Sequence, residues 1–351
     1  MNAYLSRKLK VLSFLLIVMV VILHAHNLKG NSDALNFYVQ NLISGGFTKL
    51  CVVLFFLISG YLFVVNIKEG KPAVFGQKIQ SRIRSVLVPY LLWSLIGMMI
   101  FFILQSLPVT RSFFNSGLLR QSSPSELSYI WLLKPLPYQL WFLRHLFILV
   151  LLSPLLYGII RYTNWFALIV IVILLLNIIR LPENPLLNNT SLASFSLGIW
   201  FGLHGQQIVL NRYPKAVWWS GLLWIIFVVG RVIFDSETWL SIGIWRPLLL
   251  TLEYGIGIVS IWTGYDYLNQ NKNMDRPLPA YLGFAFFLYL AHEPLLTIFK
   301  KLLLKVLGNG SLGQLLTYFA APTLVIVLCI AIGMLLKRSV PKVYGILTGG
   351  R

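Results

Sequence analysis

Residues 11–28 read VLSFLLIVMVVILHAHNL, an apolar run without a charged side chain that carries a histidine at position 24. A helix needs a run of this length to cross a bilayer, because about 20 residues at 1.5 Å each span the hydrocarbon core. Membrane β-strands would be about 10 residues long with strictly alternating polarity. The sequence therefore predicts an all-α integral membrane protein with about ten transmembrane helices, near 11–28, 48–66, 86–105, 142–160, 164–180, 190–204, 217–234, 246–265, 281–299 and 316–336.

The composition of the chain supports this fold class. Of its 351 residues, 58% are hydrophobic and 11% charged, and the mean hydropathy is +0.78. Soluble domains carry about 25% charged residues. These values exclude a disordered chain and argue against a water-soluble enzyme. We expect a single membrane domain over residues 1–351, surrounded by the lipid bilayer.

The excess of basic residues indicates how the chain is oriented in the membrane rather than that it binds a nucleic acid. The chain has 29 basic and 10 acidic residues, a net charge of +19, which could also suit a nucleic-acid binder. The basic residues lie mainly between the apolar runs, however, and most are cytoplasmic if the N-terminus is cytoplasmic. Lys300, Lys301 and Lys305 fall on the outer side and are the exception. The sequence predicts both termini in the cytoplasm and no nucleic-acid partner.

Ionisable residues inside the predicted spans are the first candidates for chemistry, because lipid makes their burial costly. His24 is expected in the outer third of the first span, where it either transfers a proton or bonds to a neighbouring helix. Arg144, near the start of the fourth span, is expected at a similar depth. Glu253 in the eighth span needs a partner, and His24, Arg144 and Arg246 are the candidates.

Small and polar residues in two other spans indicate close helix packing. Residues 55–63 read FFLISGYLF, in which Ser59 and Gly60 permit close approach and Tyr61 adds a hydroxyl group. The sequence GIWFG at 198–202 matches the GxxxG packing pattern.

Two arginines precede the third span. Arg82 and Arg84 point about 200° apart if the segment is helical, so only one of them should face the helix bundle. They either follow the positive-inside rule or form a phosphate clamp at the cytoplasmic mouth.

Two histidine-containing segments complete the candidate residues. Trp141 suits the aromatic belt at the outer surface, and His145 follows it by one helical turn. His292 and Glu293 are expected near mid-membrane beside Pro294, which frees a backbone carbonyl. They either fix helix packing or take part in catalysis.

The chain resembles the family-three integral-membrane acyltransferases, which acylate sugars of polysaccharides, lipids or small molecules. The resemblance rests on the order and spacing of segments over nearly the whole chain. These are VVILH at 20–24, FFLISGY at 55–61, Arg82 and Arg84 with Pro89 and Tyr90, LWFL at 140–143, and FLYLAH at 287–292.

This resemblance implies specific roles for three residues. His24 matches the family's essential histidine of the first span. Arg82 and Arg84 match the basic pair thought to hold an acyl-coenzyme A donor, of which acetyl-coenzyme A is the common form. Ser13 departs from the family, which usually has Arg or Lys at this position, and Lys10 one turn below is a candidate replacement.

We therefore expect a bacterial inner-membrane O-acyltransferase, most simply an O-acetyltransferase. In this hypothesis His24 either acts as general base towards a sugar hydroxyl or becomes transiently acylated. Arg144 or Tyr61 would stabilise the oxyanion, and Glu253 or Glu293 would orient an imidazole.

The same hypothesis divides the remaining candidates between two substrates. Ser59 and Tyr61 are expected at the acyl-coenzyme A site, whereas Trp141, His145 and His292 are expected where a glycan or lipid-linked sugar binds. No metal site is expected, and self-association of the chain is left open. The alternative class is a transporter or flippase of a glycolipid or polysaccharide, whose usual repeated broken helices are not found in the sequence.

Overall fold

The computed structural model describes residues 2–28, 33–67, 70–111, 118–182, 184–234, 245–272 and 276–350. In these ranges all regular structure is helical. Short π-helical segments cover Asn41–Phe47 and Ile83–Leu87, and 3-10 turns cover Leu119–Gln121, Tyr138–Leu140 and Ala280–Phe284. The α-helices are α1 Ala3–His24, α2 Ala34–Gln40, α3 Leu50–Val64, α4 Pro72–Arg82, α5 Val88–Ser106, α6 Pro108–Arg111, α7 Pro124–Leu132, α8 Trp141–Thr163, α9 Trp165–Leu175, α10 Asn189–Leu203, α11 Gln206–Leu210, α12 Ala216–Phe234, α13 Trp245–Asn269, α14 Ala285–Leu307, α15 Ser311–Ser339 and α16 Pro341–Leu347.

Seven helical segments of the described chain are long and apolar enough to cross a membrane, which confirms a multi-pass helical protein. They are Ala34–Val64, Pro72–Ser106, Tyr138–Thr163, Ala216–Phe234, Trp245–Asn269, Ala280–Leu307 and Ser311–Ser339. The other three predicted spans are also helical, as α1, α9 and α10. Helix α1 carries three basic residues near its start, and α9 and α10 have only 11 and 15 residues.

The second membrane segment begins well before the predicted boundary of 48. It starts at Ala34, because α2 and the π-helical segment continue into α3. Hydropathy places Asn36 and Gln40 in a loop, but both side chains are buried and bonded. The Asn36 amide donates to the Ser311 carbonyl oxygen at 2.9 Å, and the Gln40 amide donates to the Asn27 side chain at 2.7 Å. A polar helix turn is stable here because its amides have partners.

Helices α3 and α10 pack with their backbones almost in contact. A Cβ atom at Gly60 would lie 2.1 Å from the Phe195 carbonyl oxygen, and one at Gly198 would lie 2.0 Å from the Leu57 carbonyl oxygen. Only residues without a side chain fit at these positions. The packing predicted from Gly60 and from the GxxxG pattern is confirmed.

Polar contacts between helix termini define the two ends of the bundle. At the Lys8 end, the Lys8 ammonium on α1 lies 2.9 Å from an Asp266 carboxylate oxygen on α13. At the His24 end, the Asn27 amide donates to the Gln314 carbonyl oxygen on α15 at 3.0 Å. Helix α1 thus runs from the Lys8 end to the His24 end, with the last turns of α13 beside its start.

Candidate active site

A cavity of about 340 Å³ lies among α1, α3, α8 and α14. Along α1 it extends from Ser13 to His24, and eleven residues at 1.5 Å each make this distance about 16 Å. Its wall is mostly apolar, with Phe55, Phe142 and Tyr289 among the lining residues. Polar groups occur mainly towards its two ends. The cavity is therefore mostly apolar, with a polar group at each end.

His24 lines the cavity at the end of α1. Its ring meets the Tyr138 ring edge-on, with the centroids 4.8 Å apart, and is stacked on the His292 ring at 5.7 Å. The Lys300 ammonium donates to the His24 carbonyl oxygen at 2.7 Å, which satisfies a helix-terminal carbonyl. Within the described ranges the His24 imidazole has no hydrogen bond, and its side chain lines the cavity.

The stacking partner His292 is held in one orientation. Its side chain is fully buried, and Nδ1 lies 2.8 Å from the Tyr289 carbonyl oxygen. A carbonyl oxygen only accepts hydrogen bonds, so Nδ1 carries the proton of the neutral ring and Nε2 has the lone pair. No described residue bonds to this buried Nε2.

Tyr138 is held beside His24 by a buried carboxylate. Its hydroxyl donates to Glu293 Oε1 at 3.0 Å, and the backbone N–H of Thr297 donates to Oε2 at 3.3 Å. Glu293 is the residue at which α14 leaves helical geometry, just before Pro294. The interruption expected at the proline therefore points a carboxylate towards the His24 end. Glu293 thus holds Tyr138, whose ring contacts His24.

Arg82 lies at the opposite end of the cavity and lines it, together with Ser13. Arg82 ends α4, and Arg84 lies in the π-helical turn that follows, where its side chain is exposed and outside the cavity wall. The Lys78 ammonium lies 5.3 Å from the ring of Phe63, another lining residue. Lys10 is exposed and is not a lining residue, whereas Arg82 lines this mouth and Lys78 lies beside the lining residue Phe63.

Ser59 and Trp141 also line the cavity, whereas Tyr61 and His145 do not. Tyr61 faces a second, apolar cavity of about 370 Å³ on another side of α3. His145 is buried, with Nε2 3.1 Å from the Pro185 carbonyl oxygen, and its ring packs edge-on against Trp141 at 5.0 Å. The His145 ring therefore packs against the Trp141 indole and helps to hold it in place.

Glu253 and Arg144, expected close to His24, are engaged elsewhere. The partner of Glu253 is Arg231, whose Nε donates to a carboxylate oxygen at 2.6 Å, and this corrects the expected pairing with His24, Arg144 or Arg246. Arg231 also donates to the Gly45 carbonyl oxygen at 2.7 Å. The Arg144 guanidinium donates to the Leu133 carbonyl oxygen. Neither Glu253 nor Arg144 lines the His24 cavity.

Tyr138 and Gln139 are the site residues that the sequence analysis missed. Both lie in the 3-10 turn that leads into α8, immediately before the segment LWFL at 140–143. Gln139 lines the cavity, and its amide donates to the Leu290 carbonyl oxygen at 3.3 Å. The signal available in the sequence was that both residues directly precede LWFL, a segment that carries the family resemblance.

The residue types present do not form a metal centre in the part of the chain that the structure describes. There, no group of three or more His, Cys, Asp or Glu residues is close enough to hold an ion. Cys51 and Cys329 are both buried free thiols.

Comparison with known proteins identifies the family. Residues 7–337 match the family model described as an acyltransferase domain, the third family of that name. The chain is 26% identical to the succinoglycan biosynthesis protein ExoH of Rhizobium meliloti (strain 1021) over 362 residues, covering 100% of this chain and 94% of ExoH. No solved structure matches the chain. The match confirms the resemblance drawn from the sequence and favours an acyltransferase over a transporter. The chain belongs to the family-three acyltransferases.

Proposed function

We propose that the protein is an O-acyltransferase that moves an acyl group, in the simplest case acetyl, from cytoplasmic acyl-coenzyme A to a sugar hydroxyl of a cell-surface polysaccharide or its lipid-linked precursor. The observation that carries the proposal is the cavity itself, which has Arg82 at one end and His24 at the other. The acyltransferase family supports the reaction, and the name of the relative, a succinoglycan biosynthesis protein, supports a glycan acceptor.

The shape and lining of the cavity fit a long thioester donor. Arg82, with Lys78 beside Phe63, offers cations for the phosphates of coenzyme A at the Lys8 end. The apolar middle of the cavity fits the thin pantetheine arm. Ser59, about midway along α3, adds a hydroxyl to this wall. A thioester extended over the roughly 16 Å between the levels of Ser13 and His24 would reach the His24 ring.

The chemistry we propose at His24 is general base catalysis. The imidazole takes the proton of the acceptor hydroxyl while the hydroxyl oxygen forms a bond to the thioester carbonyl carbon. The carbon–sulfur bond then breaks, and the imidazolium returns its proton to the departing thiolate. His292 and Tyr138 fix the His24 ring by stacking and edge contact. Glu293 positions Tyr138.

The proposed orientation places the Lys8 end in the cytoplasm of a bacterial cell and the His24 end outside its inner membrane. In this arrangement α1, α9 and α10 join the seven long segments as membrane crossings, giving ten spans in one domain with both termini inside. The basic residues at the Lys8 end favour this orientation. Lys300, which seemed misplaced on the outer side, caps α1 there.

The test compares two histidines that are two residues apart. His24→Ala should abolish transfer of label from radiolabelled acetyl-coenzyme A to glycan in isolated membranes, with normal expression. His26→Ala should keep most of the activity, because the His26 side chain is exposed and outside the cavity. Transfer by the His24→Ala protein at a near wild-type rate would refute the assigned base.

A further inference from the structure

A groove of about 500 Å³ opens at the surface beside the His24 end of the cavity. It is formed by the end of α7, the turn before α8 and the loop after α9. Its lining includes Tyr129, Lys134, Tyr138, Trp141, Arg144 and Asn184.

The groove is continuous with the candidate active site. Trp141 lines both the groove and the cavity, so the two spaces adjoin at its indole. Tyr138 lines the groove and contacts the His24 ring, with the centroids 4.8 Å apart. A molecule bound along the groove would therefore have its end beside the His24 imidazole.

The exposed aromatic rings in the groove suit a carbohydrate. Tyr129 is 48% exposed and Tyr138 is 43% exposed, so both rings are open to a molecule in the groove. An aromatic ring offers a flat apolar face to the C–H face of a sugar, and nearby polar groups can bond its hydroxyls. Asn184 supplies an amide of this kind.

The charged side chains of the groove are basic. Lys134 is exposed, and Arg144 has a buried Nε to which no described residue bonds. The described residues that line the groove include no carboxylate. Glu293 lies behind Tyr138 at 2% exposure with both its oxygens bonded, and Glu126, one turn before Tyr129, bonds to Ser123.

We propose that this groove is the acceptor site and that it selects a carboxylate-bearing glycan, with sugar rings on Tyr129 and Tyr138 and an acidic group at Lys134 and Arg144. The inference rests on the proposed function, since it supplies the acceptor of that reaction. It also assigns Arg144 to acceptor binding instead of oxyanion stabilisation.

Binding without turnover tests the groove separately from the chemistry. The full-length protein in phosphatidylcholine nanodiscs is titrated with hexagalacturonate and with maltohexaose, and quenching of tryptophan fluorescence is followed. Wild-type protein should bind the acidic oligosaccharide at least tenfold more tightly. Equal binding of both oligosaccharides would overturn the proposal.

Matched variants separate the groove from general surface charge. Lys134→Gln should reduce affinity for hexagalacturonate at least fivefold and Lys134→Arg should restore it, while Lys305→Gln, an exposed outer lysine away from the groove, should change it less than twofold. Tyr129→Ala should weaken both oligosaccharides and Tyr129→Phe should not. Equal losses from Lys134→Gln and Lys305→Gln would overturn the proposal.

The His24→Ala protein keeps the two proposals distinguishable. It should bind hexagalacturonate as tightly as the wild type while transferring no acyl group. A protein that fails to discriminate between the oligosaccharides but still depends on His24 for transfer refutes only the groove.

Discussion

Arg82 and Arg84 are two residues apart but have different surroundings. Arg82 lines the cavity that leads to His24, whereas Arg84 is exposed on the π-helical turn that follows α4. The resemblance to the family treats them as a pair, but the described structure brings only Arg82 to the passage.

Replacement of Arg82 should therefore affect the donor more than replacement of Arg84. Arg82→Ala should raise the KM for acetyl-coenzyme A by roughly tenfold or more, because losing a hydrogen bond to a charged group costs about 1.5–3 kcal/mol. Arg84→Ala should raise it by less than roughly threefold, as an exposed ionic contact is worth about 0–1 kcal/mol. Initial rates in proteoliposomes measure both values. Equal increases would contradict this reading of the cavity.

Glu253 should contribute to the stability of the protein rather than to catalysis. Its carboxylate is 1% exposed and paired with Arg231, so Glu253→Gln removes a buried negative charge from beside the guanidinium. Breaking a buried pair on one side costs about 3–5 kcal/mol. We expect a lower unfolding temperature in detergent and a kcat per folded molecule within roughly twofold of the wild type. A fully stable Glu253→Gln protein without activity would contradict this, and Glu126→Gln at the surface is the control.

The contact between α3 and α10 should tolerate no added methyl group. Gly198→Ala places a Cβ against the Leu57 carbonyl oxygen, and overpacking of this kind costs about 1–3 kcal/mol or more. Gly158→Ala in α8 is the matched control, because nothing lies within 4 Å of its Cβ position. Thermal unfolding of both variants in one detergent gives the comparison. If Gly198→Ala and Gly158→Ala unfold at similar temperatures, the close contact between α3 and α10 does not contribute to stability as we expect.

The ion pair between Lys8 and Asp266 should hold the Lys8 end together. Both side chains are almost fully buried, and the Tyr4 hydroxyl also donates to Asp266 at 2.5 Å. Lys8→Met should cost about 3–5 kcal/mol, and adding Asp266→Leu should recover part of that loss by removing the unpaired charge. Lys10→Met is the exposed control. A double variant less stable than Lys8→Met alone would argue against a simple ion pair.

The sequence predicts where the helices lie better than it predicts which side chains pair between them. Apolar runs locate the long membrane segments, and two residues that the resemblance selected, His24 and Arg82, line one cavity. Depth within a span cannot choose among neighbours, however. For that reason the pairing of Glu253 with Arg231, on the preceding helix, was not foreseen.

Hydropathy also fails to identify a helical segment whose polar side chains form hydrogen bonds within the protein. Asn36 and Gln40 read as loop residues, yet their amides bond to neighbouring helices and the segment is helical. Tyr138 was missed for a related reason, because a single turn before α8 has no periodic pattern. Its importance follows from contacts with His24 and Glu293, which are distant in the sequence.

The indole of Trp141, shared as a wall, also has a kinetic consequence. If the thioester occupies the cavity and the sugar the groove, the two reactants bind in different volumes and meet only at the edge of the indole. Steady-state kinetics should then show intersecting double-reciprocal lines, and an excess of either reactant should not inhibit the other. Enlarging the gap with Trp141→Ala would admit water to the thioester, so that wasteful hydrolysis rises as productive turnover falls.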